Sequence, residues 1–438
     1  MMSKILLVNP PIYDFTAYDF WLKPYGLLSV AGFLRGKADF KLFDYLNRSR
    51  PFAAKQKELE SDQWGRGRFY CERIGAPPAC LEQIPRYFRR FGLPRNMFDD
   101  FLKEQGPFDF AFIQTTMTYW YQGIQEVIKD VRRARPETKI VLGGNYVTLC
   151  HNHAQKLGAD FLVQSNNLEP LWAYSGIRPD LKQPALWQAY EKLDTSVLRL
   201  SDGCPFNCTY CSVPKFFGTF RARPFERSLA ELELLVKRGV DNIAFYDDAL
   251  LFDAKKVLIP FLEEVLRRKI KVHFHSPNGL NIRFITPGVA EMMVKAGFKT
   301  FYLGFESASL QWQKQTGSKV SAPELSQAVK HLRIAGVEPA NITAYQILGH
   351  PLTDVQQLEA SMHFVNSLGI RGMLADFSPI PGTPDGELCQ KWVDMDEPLM
   401  HNKTAFPIIL LGFDEVNRLK DLQRKLNRAL PTDTAKED

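Results

Sequence analysis

The sequence has no long apolar run: none approaches the ~20 residues needed to cross a bilayer, and the stretch from Met1 to Asn9 lacks the apolar core of a cleavable leader. A membrane span is therefore not expected, and the expected location is the cytoplasm. Long basic blocks are also missing. The 55 Lys and Arg residues stand against 49 Asp and Glu, a net charge of +6, too mild a balance for a nucleic-acid partner. It suits a small-molecule or lipid-like substrate, anionic if the charge has a purpose. Cysteine is scarce, with seven in 438 residues. Cys71, Cys80, Cys150 and Cys389 are scattered, which fits neither a disulfide framework nor a second metal cluster. What remains is ordinary globular composition, 45% apolar and 24% charged, in a chain long enough for two or three domains.

The other three cysteines are crowded together in Cys204-Pro205-Phe206-Asn207-Cys208-Thr209-Tyr210-Cys211. A strand expected over Ser196–Leu200 precedes them, and Gly203 and Pro205 turn the backbone into a loop. Loops at the C-terminal ends of strands are where barrels and doubly wound sheets place their chemistry. Thiolates this close repel one another and call for a cation or an oxidised partner. Three of them leave one coordination position open, as a centre that binds a further ligand requires. Disulfides would leave one thiol over. Zinc would need a fourth ligand, and no histidine is near in sequence.

Before the cysteines, apolar strands alternate with helices: strands at Lys4–Val8, Phe40–Tyr45, Phe110–Gln114, Lys139–Leu142 and Asp160–Gln164, and helices at Tyr25–Leu34 and about Ile124–Ala134. The pattern predicts a Rossmann-like, doubly wound parallel sheet over residues 1–165. A segment from about 47 to 105, where arginines alternate with aromatics, is too long for a turn and reads as a helical, lid-like excursion. Residues 166–195 read as a linker. From 196 to 395 strand and helix alternate six times, with strands at Asn242–Tyr246, Val272–His275, Thr300–Phe305, Ile342–Leu348 and Met373–Ser378. Six such units make a partial (β/α)6 TIM-type barrel, open on one side. Ser228 and Glu231 read as a capping box, and residues 396–438 as a small helical C-terminal segment.

The triple-cysteine spacing, with the aromatic Tyr210 before the third cysteine, resembles the signature of the radical S-adenosylmethionine (SAM) superfamily. The resemblance implies that Cys204, Cys208 and Cys211 hold three irons of a [4Fe-4S] cluster, and that S-adenosylmethionine chelates the fourth. It implies reductive cleavage to a 5′-deoxyadenosyl radical, abstraction of hydrogen from an unactivated C–H bond, and an external electron donor such as flavodoxin or ferredoxin. Residues expected about S-adenosylmethionine are Phe206 and Tyr210 in the loop and Tyr246, Asp247 and Asp248 after the second barrel strand. Asn278 and Arg283 follow the third strand, Glu306 and Ser307 the fourth, and Leu348 and Gly349 the fifth. No catalytic residue is assigned. The N-terminal half resembles the cobalamin-binding domain of one branch of that superfamily, through Asn9-Pro10, Thr115-Thr116 and Gly143-Gly144-Asn145. The D-x-H-x-x-G motif that supplies a lower-axial histidine elsewhere is absent. Cobalamin, and with it C-methylation, stays open at this point. So do radical rearrangement, cyclisation or oxidation without it, and a non-catalytic iron–sulfur sensor or scaffold.

Overall fold

Residues 2–50, 59–352 and 354–430 are described by a computed structural model. Residues 51–58 of the expected excursion, and the end of the C-terminal segment beyond 430, lie outside the described residues. Two parallel sheets organise the chain. In the first, β1 (Ser3–Asn9), β2 (Ala38–Asp44), β3 (Phe110–Thr115), β4 (Lys139–Gly144) and β5 (Phe161–Val163) lie in the order β5-β4-β3-β1-β2. The run Ile5 to Val8 is fully buried, as a central parallel strand requires. From β1 the chain goes one way to β2 and the other way to β3. The crevice between the ends of β1 and β3 is therefore the switch point at which such sheets bind ligands.

The second sheet holds β6 (Thr195–Leu198), β7 (Asn242–Phe245), β8 (His273–His275), β9 (Phe298–Glu306), β10 (Ile342–Leu348) and β11 (Arg371–Asp376) in sequential order, all parallel. Among the described residues β6 pairs with β7 alone and β11 with β10 alone, so the barrel stays open. The C-terminal helix Phe413–Arg428 lies along β11 and closes its free edge. Asn427 exchanges two 2.9 Å hydrogen bonds with the Gly372 backbone, and Lys420 donates to Asp376 at 2.7 Å. An edge so covered cannot pair with another chain.

Two expectations change. The segment from 59 to 105 is α-helical only at its end: Cys71–Arg73 and Arg89–Phe91 form an antiparallel sheet with Ile12–Asp14, and helix Arg95–Gln105 follows. Ser228 and Glu231 are not a capping box. Their helix starts at Phe225, a turn earlier, because Pro224 fits a helix entrance and supplies no side-chain cap. Ser228 instead donates to the Arg199 carbonyl at 3.1 Å. Glu231 turns inward, accepting from Trp187 Nε1 at 2.8 Å and from the Tyr25 hydroxyl at 3.2 Å.

That carboxylate is one of several ties between the two sheets. Trp21 stacks on His275 at 4.3 Å, the Tyr246 hydroxyl donates to the Trp21 carbonyl at 2.5 Å, and the Tyr190 hydroxyl donates to Asp44. Trp21, Tyr25 and Leu28 share one apolar core with the barrel strands. Burial raises the Glu231 pKa, and the Trp187, Arg223 and Arg227 neighbours oppose it. Glu231→Ala leaves two buried donors without an acceptor, so a loss of about 1–3 kcal/mol is expected, read as a lower thermal-unfolding midpoint.

Candidate active site at the barrel mouth

The cysteine loop stands on a stem. After β6, Ser201–Asp202 pairs antiparallel with Arg221–Ala222, and residues 203–220 project between them. Asp202 clamps the stem by accepting from Arg223 Nε at 3.0 Å and Nη2 at 2.8 Å. Nothing in the sequence pattern marked this hairpin, because its strands are two residues long. Within the loop, Cys211 N–H donates to the Cys208 carbonyl at 3.0 Å, and Thr209 N–H reaches the Thr316 carbonyl at 3.3 Å. The next residue, Gly317, has φ +114°, and a Cβ there would sit 3.2 Å from the Asn207 carbonyl oxygen. A glycine lets that segment close over the loop.

Cys204, Cys208 and Cys211 are free, partly buried thiols. Burial raises the pKa of each, that of Cys211 to about 11, and the neighbouring thiols add to it at Cys204 and Cys211. Such a group keeps its protons unless a cationic centre takes their place. Among the described residues no three His, Cys, Asp or Glu side chains close on a single metal ion. Three thiols carried by one loop suit a cluster, in which each thiolate binds its own iron.

A buried network holds the loop. The Thr209 hydroxyl donates to Asp385 Oδ2 at 2.6 Å, and His350 Nε2 meets the same oxygen at 2.9 Å. His350 Nδ1 accepts from Leu352 N–H at 3.1 Å and from Trp312 Nε1 at 3.3 Å. With Nδ1 an acceptor, the ring proton is on Nε2 and faces the carboxylate. Trp312 then stacks on Tyr210, with centroids 5.9 Å apart. The sequence named Tyr210 but missed Thr209, Trp312 and Asp385. Trp312 and Asp385 are far from the loop in the chain, and only the folded barrel brings them to it.

The remaining expected residues divide by what already occupies them. Asp247 is fully committed: its carboxylate accepts from the backbone N–H of Leu200 and Ser201 and from the Ser201 hydroxyl, and burial pushes it up to about 6. Asp248 pairs with Arg199 at 2.6 Å. The Tyr246 hydroxyl is taken by the Trp21 carbonyl, and Asn278 Nδ2 donates to the Asp247 carbonyl at 3.3 Å. Arg283 turns outward to Glu324 at 2.7 Å. Ser307 is buried and its hydroxyl accepts from Ser309 N–H at 3.1 Å. The Leu348 carbonyl accepts from Phe377 N–H at 2.9 Å, with Gly349 next to it against Pro407. Phe206 lies 6.1 Å from Phe284 and 6.4 Å from Phe252, an aromatic wall beside the loop.

Glu306 is different. It ends β9 at a break in the register with β10, with φ +69°, a left-handed conformation that an unbranched acid adopts only under constraint. Its Oε1 faces Lys319 Nζ at 3.4 Å, and both side chains are largely buried. Burial works against the Lys319 charge, but Glu306 and the Cys208 and Cys204 sulfurs outweigh it and hold the ammonium above its usual pKa. Lys319 is thus a cation beside the cysteines that the sequence reading passed over.

The switch-point crevice of the first sheet is lined by Asn9, Pro10, Gln114 and Thr116, as the strand-end rule implies, together with Leu22, Leu46 and Trp120. Its volume is about 10 Å³, barely room for one water. Trp120 is nearly buried and donates to Asp14 Oδ2 at 2.8 Å, while Asn9 Nδ2 donates to Asp44 at 2.7 Å. Gly143, Gly144 and Asn145 do not line it. A Cβ on Gly144 would lie 2.0 Å from the Thr115 carbonyl oxygen, so that glycine serves the packing of β4 on β3. Thr115 is buried, and its hydroxyl accepts from Val147 N–H at 3.4 Å. In this arrangement the crevice does not fit a corrin.

Comparison with known proteins places this geometry. Residues 198–365 match the Radical SAM superfamily. An uncharacterized methyltransferase of Pyrococcus horikoshii is 28% identical over 43% of this chain and 40% of its own length. The ribosomal protein uS12 methylthiotransferase RimO of Pelobacter propionicus is 29% identical over 34% of this chain and 32% of its own. The chain thus spans less than half the length of these relatives. The radical S-adenosylmethionine methyltransferase TsrM of Kitasatospora setae, solved with cobalamin and a [4Fe-4S] cluster bound, superposes with a TM-score of 0.65 at 13% identity, covering 96% of this chain and 91% of that one. The cobalamin-dependent radical enzyme OxsB superposes with a TM-score of 0.57 at 13% identity, over 97% of this chain and 61% of that one. At such identity the likeness is one of fold, and it extends over both sheets. Residues 198–365 thus carry the likeness to the Radical SAM superfamily, within the barrel that holds the cysteine loop.

Proposed function

We propose that this protein is a radical SAM enzyme whose cluster is held by Cys204, Cys208 and Cys211. The observation that carries the reading is the cysteine loop itself: three neighbouring, partly buried thiols on a clamped hairpin at the mouth of the barrel, beside a Lys–Glu pair. Held by Cys204, Cys208 and Cys211, such a cluster would supply the single electron for reductive cleavage of S-adenosylmethionine, and with it the means to abstract hydrogen from an unactivated C–H bond.

The chain's own residues have three tasks. Lys319 and Glu306 offer one charge of each sign at the loop, which suits the carboxylate and amino groups of a bound amino acid. The Thr209–Asp385–His350–Trp312 network fixes the loop so that binding does not have to order it. The aromatic wall of Phe206, Phe252 and Phe284 keeps water from a radical that must meet only substrate. A small-molecule substrate and an external one-electron donor belong to this reading. A sensor or scaffold would have no use for the paired charges at the loop.

Anaerobic reconstitution with S-adenosylmethionine and a strong reductant tests it. 5′-Deoxyadenosine should form in the wild type and disappear in Cys208→Ala together with the broad visible absorption of the cluster. Cys71→Ala and Cys80→Ala should leave iron content unchanged. Absence of 5′-deoxyadenosine from protein with full iron content would reject the radical mechanism.

The second reading, cobalamin-dependent C-methylation, is favoured by the fold shared with TsrM and OxsB. Against it stands the filled crevice at Trp120. The expected outcome of incubation with hydroxocobalamin followed by gel filtration is protein free of corrin absorption. Stoichiometric corrin would show that Trp120 and Leu22 move aside, and would restore the methylation reading.

The loop network has its own consequence. Asp385→Ala removes the acceptor shared by Thr209 and His350, leaving buried donors unpaired at a cost of about 1–3 kcal/mol. Iron should still load, but an external chelator should strip it several-fold faster than from the wild type.

A further inference from the structure

Away from the cysteine loop, a cavity of about 790 Å³ opens between three segments distant in sequence: Phe15-Thr16, the stretch from Ile84 to Arg89, and helix Phe413–Arg428. That is within the ~300–1,000 Å³ of small-molecule sites, and nothing in the proposed chemistry uses it. Its floor is apolar. Phe15, Ile84, Ile408 and Val416 are buried in one core cluster. Its walls are basic: Arg86, Arg89, Lys420 and Arg424 face a single carboxylate, Glu82.

Two of those cations are neutralised nearby, Lys420 by Asp376 at 2.7 Å and Arg424 by Asp421. The other two are not. Arg86 donates to the uncharged Asn417 and lies over the Phe413 ring at 4.7 Å. Arg89, half-buried in its short strand, pairs with no carboxylate among the described residues. On the same wall Thr404 is 5% exposed, and its hydroxyl is buried without a hydrogen-bond partner. Two uncompensated guanidiniums above an apolar floor are the complement of one kind of molecule, since the guanidinium fork matches carboxylate and phosphate.

We infer that this cavity binds an amphipathic anion, its carboxylate or phosphate head held by Arg86 and Arg89 and its apolar body seated on Phe15, Ile84, Ile408 and Val416. None of the cysteine-loop residues lines it, so the inference stands or falls apart from the radical chemistry. Placed at the covered edge of β11, whose terminal Asp376 holds Lys420, the site adjoins the open side of the barrel.

Calorimetric titration of the full-length, anaerobically reconstituted protein tests it with four probes: decanoate, decyl phosphate, decanol and inorganic phosphate. Saturable binding of decanoate or decyl phosphate is expected, at least tenfold tighter than that of decanol or inorganic phosphate. The tighter of the two anions identifies the head group. The Arg86→Gln/Arg89→Gln variant should bind it at least tenfold more weakly, and the Arg86→Lys/Arg89→Lys variant should recover part of the loss. Unchanged visible absorption and far-ultraviolet circular dichroism report that the variants are folded. Absence of binding by both decyl anions, equal binding of decanol, or undiminished affinity in the folded Gln variant would overturn the inference.

Discussion

Three partly buried thiols brought together in one short loop are a constraint that the rest of the barrel mouth must satisfy. Left alone, burial keeps them protonated, and as thiolates they would repel one another and push the loop open. The structure holds the loop from two sides. The Asp202–Arg223 clamp fixes its stem, and the Thr209–Asp385–His350–Trp312 network fixes its tip against a segment nearly 180 residues further along. A fully satisfied buried network is stiff because each bond broken leaves an unpaired group in a poorly polarisable surrounding. Stiffness at this point is what lets a loop rich in glycine, proline and cysteine present a defined ligand set.

The same demand for satisfied buried groups ties the two sheets together. Trp21 donates to the Trp64 carbonyl, stacks on His275 and receives the Tyr246 hydroxyl at its own carbonyl. Asp14 accepts from Trp120 and from Asn402 near the C-terminal end. Thr118 meets His401, whose own pKa burial lowers to about 4, so the ring stays neutral in its interface. These bonds close the switch-point crevice as a by-product: Trp120 is held in place by an acceptor from the first sheet's own loop. A fold shared with cobalamin-binding enzymes is thus compatible with a first sheet that serves as a packing partner for the barrel.

Both sheets were legible in the sequence because parallel strands buried on both faces write long apolar runs, as in Ile5 to Val8, and because turns and helix ends carry Gly and Pro. The cysteine loop was legible because its residues are contiguous. The rest was not, for physical reasons. Asp247 and Asp248 read as ligands by position, yet the backbone of Leu200 and Ser201 and the side chain of Arg199 take up their oxygens, and such partners are set by tertiary contact. Ser228 and Glu231 have the spacing of a cap, but the burial of Trp187 gives Glu231 a stronger partner. Lys319 and Asp385 carry no local pattern; only the register break at Glu306 and the return of the chain after β11 put them at the site.

A cluster held by Cys204, Cys208 and Cys211 alone has one iron open to S-adenosylmethionine. Electron paramagnetic resonance of the reduced protein, frozen with and without S-adenosylmethionine, reports on that open iron. The expected result is the signal of a reduced [4Fe-4S] cluster whose g-values shift when S-adenosylmethionine is added, because a ligand has joined the open iron. A cluster signal identical in both samples would contradict it.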